Sequence, residues 1–204
     1  VPTGPVRAQK KLDKRERIRA AAWELFTTVG FEETRTKDVA ERAGIATGTL
    51  FLYAPDKVDL LCLVMHDRLV SATEGAFLTL PKRASLVDQL LHVFRAVFEM
   101  YAEHPKVSHA FVRAVQGADG PNGREVGAMT FAFMHRLAGL VQDGVQRGEV
   151  AAEVSPVLAA QVLFGLYFFT VTTFLSGYTS MEAALDPMLR SGFELIMKGL
   201  APRG

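Results

Sequence analysis

Cysteine occurs once in these 204 residues, as Cys62. An internal disulfide is therefore excluded, and no Cys/His cluster has the spacing of a zinc site, so neither a disulfide scaffold nor a metal-built fold is expected. Also missing is any run of alternating polar and apolar residues long enough for a half-buried strand. There is no Gly-rich phosphate loop, no nucleophile-elbow pattern and no paired-carboxylate or metal-ligand spacing. Glu99 and Glu103 share a helix face beside His104 but form no recognisable site. Catalysis is not expected, and no metal or other cofactor is implied. Val1 to Lys10 lacks the apolar core of a secretory signal, which with the lone cysteine makes a reduced, cytoplasmic setting the expectation.

Charge of either sign is absent from one long stretch, because no Asp, Glu, Lys or Arg falls between Glu153 and Glu182. Val157 to Leu175 is mostly apolar and long enough to span a bilayer. Gln161, Gly165, Thr170, Thr172 and Thr173 interrupt it, and carboxylates rather than basic residues flank it, so no orienting charge is present. A helix buried nearly all round, in a core or between subunits, is the expectation, with no membrane.

What is present suits a folded chain of one or two domains. Hydrophobic residues make up 49% and charged residues 22%, enough apolar surface to offset the entropy of ordering. Charge is unevenly placed. Residues 1–19 carry seven basic and two acidic side chains, a net of +5 in a chain whose total is +1. A basic end on an otherwise weakly acidic protein is the distribution expected when one end meets a polyanion.

Ile18, Ala22, Leu25, Phe26 and Val29 recur at spacings of three and four, predicting an amphipathic helix over about 11–29 that ends at Gly30. A short helix follows, with Thr36 as N-cap, Val39, Ala40 and Ala43 as its apolar side, and Gly44 past its end. Thr47 to Tyr53 forms a third segment, with Leu50 and Phe51 as core contacts, and stops before Pro55. Longer helical stretches are predicted over 56–79, 85–104, 106–117, 123–147, 156–177 and 181–199, with Thr179 and Glu182 as a capping box for the last. The chain reads as all-α.

Residues 36–53 are the most informative. Two short helices that cross steeply need a small residue where their backbones meet, a residue tolerant of positive φ at the turn, and apolar bridges. Ala40, Gly44, Ile45 and Leu50 supply these in order. Such a pair presents its second helix to the DNA major groove, with Thr47, Gly48 and Thr49 at the leading end. Spacing alone leaves a plain helical-bundle turn as the other reading.

The run Thr34-Arg35-Thr36-Lys37-Asp38-Val39-Ala40-Glu41-Arg42-Ala43-Gly44-Ile45-Ala46-Thr47-Gly48-Thr49-Leu50, followed by Phe51-Leu52-Tyr53-Ala54-Pro55-Asp56-Lys57, resembles the DNA-binding motif of the tetracycline-repressor family. Upstream, Phe26, Gly30 and Phe31 match as well. The resemblance covers roughly 12–62 and implies a homodimeric, ligand-responsive transcriptional regulator, usually a repressor, acting on double-stranded DNA with an inverted repeat. It divides the chain into a flexible basic arm (1–10), a helix-turn-helix domain (11–58) and a larger helical ligand-binding and dimerisation domain (59–204). Thr36, Thr47, Tyr53 and Lys57 become phosphate contacts, and Arg35, Thr47, Gly48 and Thr49 groove contacts, with Lys14, Lys10 and Lys11 adding attraction without sequence preference. Phe51 departs from the pattern by lacking a hydroxyl where a phosphate-contacting Tyr is usual. Tyr53, Ala54 and Ala46 depart as well, standing where His, Phe and a Ser or Thr cap are common.

Sensing then falls to 62–204, which is rich in Phe and Met. A small hydrophobic or aromatic effector is expected against Met65, Phe94, Phe98, Phe111, Phe131, His135 and Phe168, with His66, His92 and His109 as further polar fixtures. The charge-poor helix is expected to pair with its copy through Leu158, Val162, Gly165, Leu166 and Phe169, joined by Phe193 of the last helix. A helical hydrophobic-ligand carrier with a basic membrane-binding end is the alternative.

Overall fold

A computed structural model describes residues 5–200, with side chains from Gln9 onward, and those residues contain helices and turns but no strand. Ten α-helices follow in order: α1 (Pro5–Thr28), α2 (Thr36–Arg42), α3 (Thr47–Leu50), α4 (Lys57–Leu78), α5 (Leu86–Glu103), α6 (Pro105–Ala114), α7 (Pro121–Gln146), α8 (Pro156–Leu175), α9 (Met181–Ala183) and α10 (Arg190–Leu200). Helix α1 begins at Pro5, so residues 5–10, expected as part of an arm, are its first turns; residues 1–4 lie outside those described. Ile18, Ala21, Ala22 and Phe26 form its buried face, one side of a 3.6-residue period, whereas Val29, just past its end, is exposed.

Serine side chains cap three of the helix starts. Ser85 accepts from the Asp88 amide and Ser155 from the Leu158 amide, each satisfying an orphan donor of the first turn. The final helical region departs from the sequence expectation twice. Its cap is Ser180, which accepts from the Ala183 amide at 3.1 Å, and not Thr179. It is also broken, because Asp186 adopts an extended conformation (φ −143°, ψ 117°) before Pro187, whose ring disfavours helical geometry in the preceding residue.

Two compact units result. One comprises the described residues up to Arg68 together with Lys106–Gly127, and the other comprises Leu69–Pro105 and the described residues from Ala128 on. The expected boundary after residue 58 does not coincide with this division, since the first half of α4, α6 from Lys106 on and the start of α7 belong with the helix-turn-helix. Helix α8 is long and apolar enough to cross a membrane by length and composition, and a third of its most apolar window is buried.

Candidate nucleic-acid interface and effector region

The turn between α2 and α3 closes by local hydrogen bonds. Gly44 has φ +65°, its amide donates to the Glu41 carbonyl at 3.0 Å, and the Ile45 amide donates to the Ala40 carbonyl at 3.0 Å. This is a Schellman closure, which needs a residue free of a Cβ penalty at the left-handed position. Val39, Ala40, Ala43 and Leu50 turn inward. Arg35, rather than Thr36, occupies the cap position of α2, and Thr36 is the first helical residue. Helix α3 is a single turn whose Ala46 cap makes no side-chain bond.

Along this segment Arg35 and Gly48 are exposed, Thr36, Thr47, Thr49 and Tyr53 are half-buried, and Lys14 is exposed on α1. A Cβ placed on Gly48 would meet nothing within 4 Å, so a backbone or base edge has room to approach there. Leu50 is fully buried, whereas Phe51 is 45% exposed and Leu52 83% exposed, so Phe51 is not the core contact expected beside Leu50.

Lys57 opens α4 and is half-buried. Its ammonium donates to the Phe31 carbonyl at 2.8 Å and the Glu32 carbonyl at 2.9 Å, and lies 4.6 Å from the centre of the Phe31 ring. Two of its three donors thus fasten the α1–α2 turn. Arg42 forks onto Glu24, at 2.9 and 2.6 Å, and ties α2 to α1. Within α4, burial and then Asp59 and Asp56 push the Cys62 thiol up to about 12, so Cys62 stays protonated and is no nucleophile at neutral pH.

The second unit is built around rings. Phe94 stacks on Tyr167 with centroids 4.4 Å apart, and reaches Phe193 at 5.6 Å and Phe133 at 6.0 Å. Phe98 meets Tyr167 edge-on at 5.9 Å and Phe174 at 5.6 Å, while Phe164 lies beside Tyr167, Phe133 and Phe168. Tyr101 and Tyr167 are hydrogen-bonded to one another inside this cluster, and burial raises both phenols well above their ordinary range, so both stay neutral. On the outer face of α8, Leu158, Val162, Gly165 and Phe169 are exposed at helical spacing, and Leu195 of α10 is exposed as well.

A family model described as bacterial regulatory proteins, tetR family, matches residues 18–62, and another described as tetracyclin repressor-like, C-terminal domain, matches residues 83–172. The chain belongs to the tetracycline-repressor family. The fatty acid metabolism regulator protein of Bacillus subtilis is 23% identical over 192 residues, spanning 94% of this chain and 98% of that one. The HTH-type transcriptional repressor KstR of Rhodococcus jostii is 30% identical over 122 residues, 58% of this chain and 54% of its own length. Among solved structures, Thermus thermophilus FadR in complex with lauroyl-CoA superposes with a TM-score of 0.74 at 24% identity, covering 93% of this chain and 96% of that one.

In this member of the family the residues singled out for the effector are divided between the two units. Phe94, Phe98 and half-buried Phe168 belong to the ring cluster, but Met65 and Phe111 are buried in the other unit. Phe131 is 72% exposed and His135, four residues on, shares its exposed face of α7, so neither lines an interior. Phe133, two positions further along the helix than Phe131, takes the inward direction instead. Phe193, expected at the subunit interface, is fully buried against Phe94 and is core. His66 and His109 lie in the first unit. His92 is spent on Ala76 and Thr79, donating to the Ala76 carbonyl at 3.1 Å. The polar groups inside the cluster are Tyr101 and Tyr167, whose signal in the sequence is their helical spacing from Phe94, Phe98 and Phe164.

Proposed function

We propose that this chain is a cytoplasmic, homodimeric repressor that binds an inverted-repeat operator and is released by a fatty acyl-CoA. The observation that carries the DNA reading is the single-turn helix α3, which follows a Schellman turn and offers exposed Gly48 between half-buried Thr47 and Thr49. Small hydroxyl residues at that end permit close approach to base edges in the major groove, with Arg35 beside them. Thr36, Tyr53 and the remaining donor of Lys57 hold phosphates, and Lys14 adds salt-dependent attraction. Two such helices in a dimer read both halves of a palindrome when roughly 34–36 Å, or a multiple, separates them.

Support for an acyl-CoA comes from a fatty acid metabolism regulator matching nearly the full chain and from a like-folded structure bound to lauroyl-CoA. The chemistry of the second unit agrees, because a core of rings with two buried phenols suits an acyl chain with one polar thioester. An effector that binds one dimer geometry better than the other shifts the spacing of the two α3 helices and lowers operator affinity, to the limit of that differential affinity. A second copy covers the apolar stripe of α8, which otherwise leaves Leu158, Val162 and Phe169 in water.

Selection of duplexes from a random DNA pool tests the first half, and enrichment of an inverted repeat is expected. Titrating the enriched complex with acyl-CoAs of rising chain length tests the second, and release by long chains is expected. Charging the stripe with Leu158→Arg and Phe169→Arg together is expected to give monomers in sedimentation, and a variant that stays dimeric would remove α8 as the interface. The apolar length of α8 favours the carrier reading as runner-up. Binding to anionic vesicles with no enriched duplex would move that reading to the front.

A further inference from the structure

Helix α7 starts at Pro121, and the residue before it, Gly120, has no side chain with which to cap it. The cap comes from another helix. Asp59 of α4, buried, accepts the amides of Asn122 and Gly123 on one carboxylate oxygen, each at 2.9 Å. Its other oxygen accepts the Asn122 side-chain amide at 2.6 Å. Glycine at 120 is required by this approach, since a Cβ there would collide with the Asp59 carboxylate.

The Asn122 side chain then reaches two further elements. Its NH2 group also donates to the Tyr53 carbonyl at 2.8 Å, and its oxygen accepts from Arg15 of α1 at 3.2 Å. Arg15 in turn pairs with Glu125 of α7 at 2.7 Å. One buried amide therefore joins α1, the turn that leaves α3, and α4. Only a side chain with two donors and an acceptor at this length satisfies all three; Asp lacks the donors and Leu lacks both. Tyr53 lies between the reading helix and Lys57, so the carbonyl that Asn122 holds sits in the segment that carries the proposed phosphate contacts.

We infer that Asn122, outside residues 18–62 of the matched DNA-binding model, is a positioning residue for operator reading: it fixes the exit of α3 against α1 and α4. The inference rests on the DNA-reading function proposed above. Unsatisfied buried partners are costly, and a loosened α3 loses base-specific contacts before it loses phosphate attraction.

The test uses full-length protein with two variants, Asn122→Ala and the paired exchange Asp59→Asn with Asn122→Asp. The exchange keeps the α7 cap, the α4–α7 link and the Arg15 partner, but leaves the Tyr53 carbonyl without its donor. Expected is a melting temperature recovered relative to Asn122→Ala, with affinity for the selected operator still reduced on the order of tenfold or more and affinity for random duplex unchanged. Wild-type operator affinity in the exchange variant would overturn the inference, as would equal losses for operator and random DNA. Hydrogen exchange on the unaltered protein covers the case in which the variants do not fold. The amides of Asn122 and Gly123 should open together with those of Tyr53 and Ala54, and independent opening would overturn the joint. If the unaltered protein enriches no duplex, the DNA-reading proposal fails instead, and the joint is judged by hydrogen exchange alone.

Discussion

In the unit that carries α3, residues far apart in the chain are joined by directional polar bonds, with Asp59 to Asn122, Lys57 to the Phe31 carbonyl and Arg42 to Glu24 as the clearest cases. In the unit that carries α5 and α8, comparable separations are closed by ring contacts, and the ion pairs Arg136–Glu74, Arg147–Glu149 and Arg190–Asp88 stay at the partly exposed rim. Directional bonds hold one orientation, as reading a DNA groove requires, because each has a narrow range of length and angle. Ring packing is less directional and tolerates rearrangement, as the proposed apolar effector and change of state would require.

The strongest way to break this comparison is to remove a ring. Phe94→Ala, which strips the partner of Tyr167, Phe133 and Phe193, is expected to cost about 3–5 kcal/mol in denaturant unfolding. A loss well below that would mean the rings are not the cohesive element of their unit. Next, Lys57→Ala removes two charge-assisted bonds to carbonyls and should cost roughly 1.5–3 kcal/mol. The same change should weaken binding to every duplex and flatten the salt dependence by about one charge. Loss of affinity with no loss of stability would show that the ammonium does not fasten the α1–α2 turn.

Gly44→Ala sharpens the comparison at a single backbone angle. The nearest atom to an added Cβ is Arg17 Nη1 at 3.7 Å, so space is available and only the φ of +65° resists. About 1–2 kcal/mol is expected, read from the urea midpoint. The smallest effect concerns the rim of the ring-built unit. Hydrogen bonds from Ser85 and then Arg190 hold the Asp88 carboxyl below its ordinary value of 3.8. A lowered carboxyl contributes stability that is present above that ordinary value and lost as pH falls through the lower folded one. Asp88→Asn should therefore lower the melting temperature slightly at neutral pH, with the difference from wild type closing as pH falls through the acid range. An identical acid decline in the variant would assign it to other carboxylates.

Features encoded within a few residues were legible. Gly44 and Ile45 close onto Glu41 and Ala40, and Ser85 caps its own first turn, so local spacing sufficed to find both. The family motif likewise lies within one continuous stretch. Legibility failed where a local signal was present but outweighed: Pro187 stood in view inside the expected helix over 181–199, yet the break at Asp186 was not anticipated. Phe193, in the helix that follows the break, belongs to the core rather than to the subunit interface.

By itself the sequence determined the all-α class, the helix-turn-helix and its turn geometry, because helical periodicity, glycine at a positive φ and proline at boundaries act through neighbours along the chain. The tertiary structure alone decided that Asp59 caps α7, that Asn122 holds the Tyr53 turn, that Lys57 is occupied by carbonyls, and that Phe133 rather than Phe131 joins the rings. Each of these depends on where helices meet, and periodicity states which residues share a face without stating which face another helix covers.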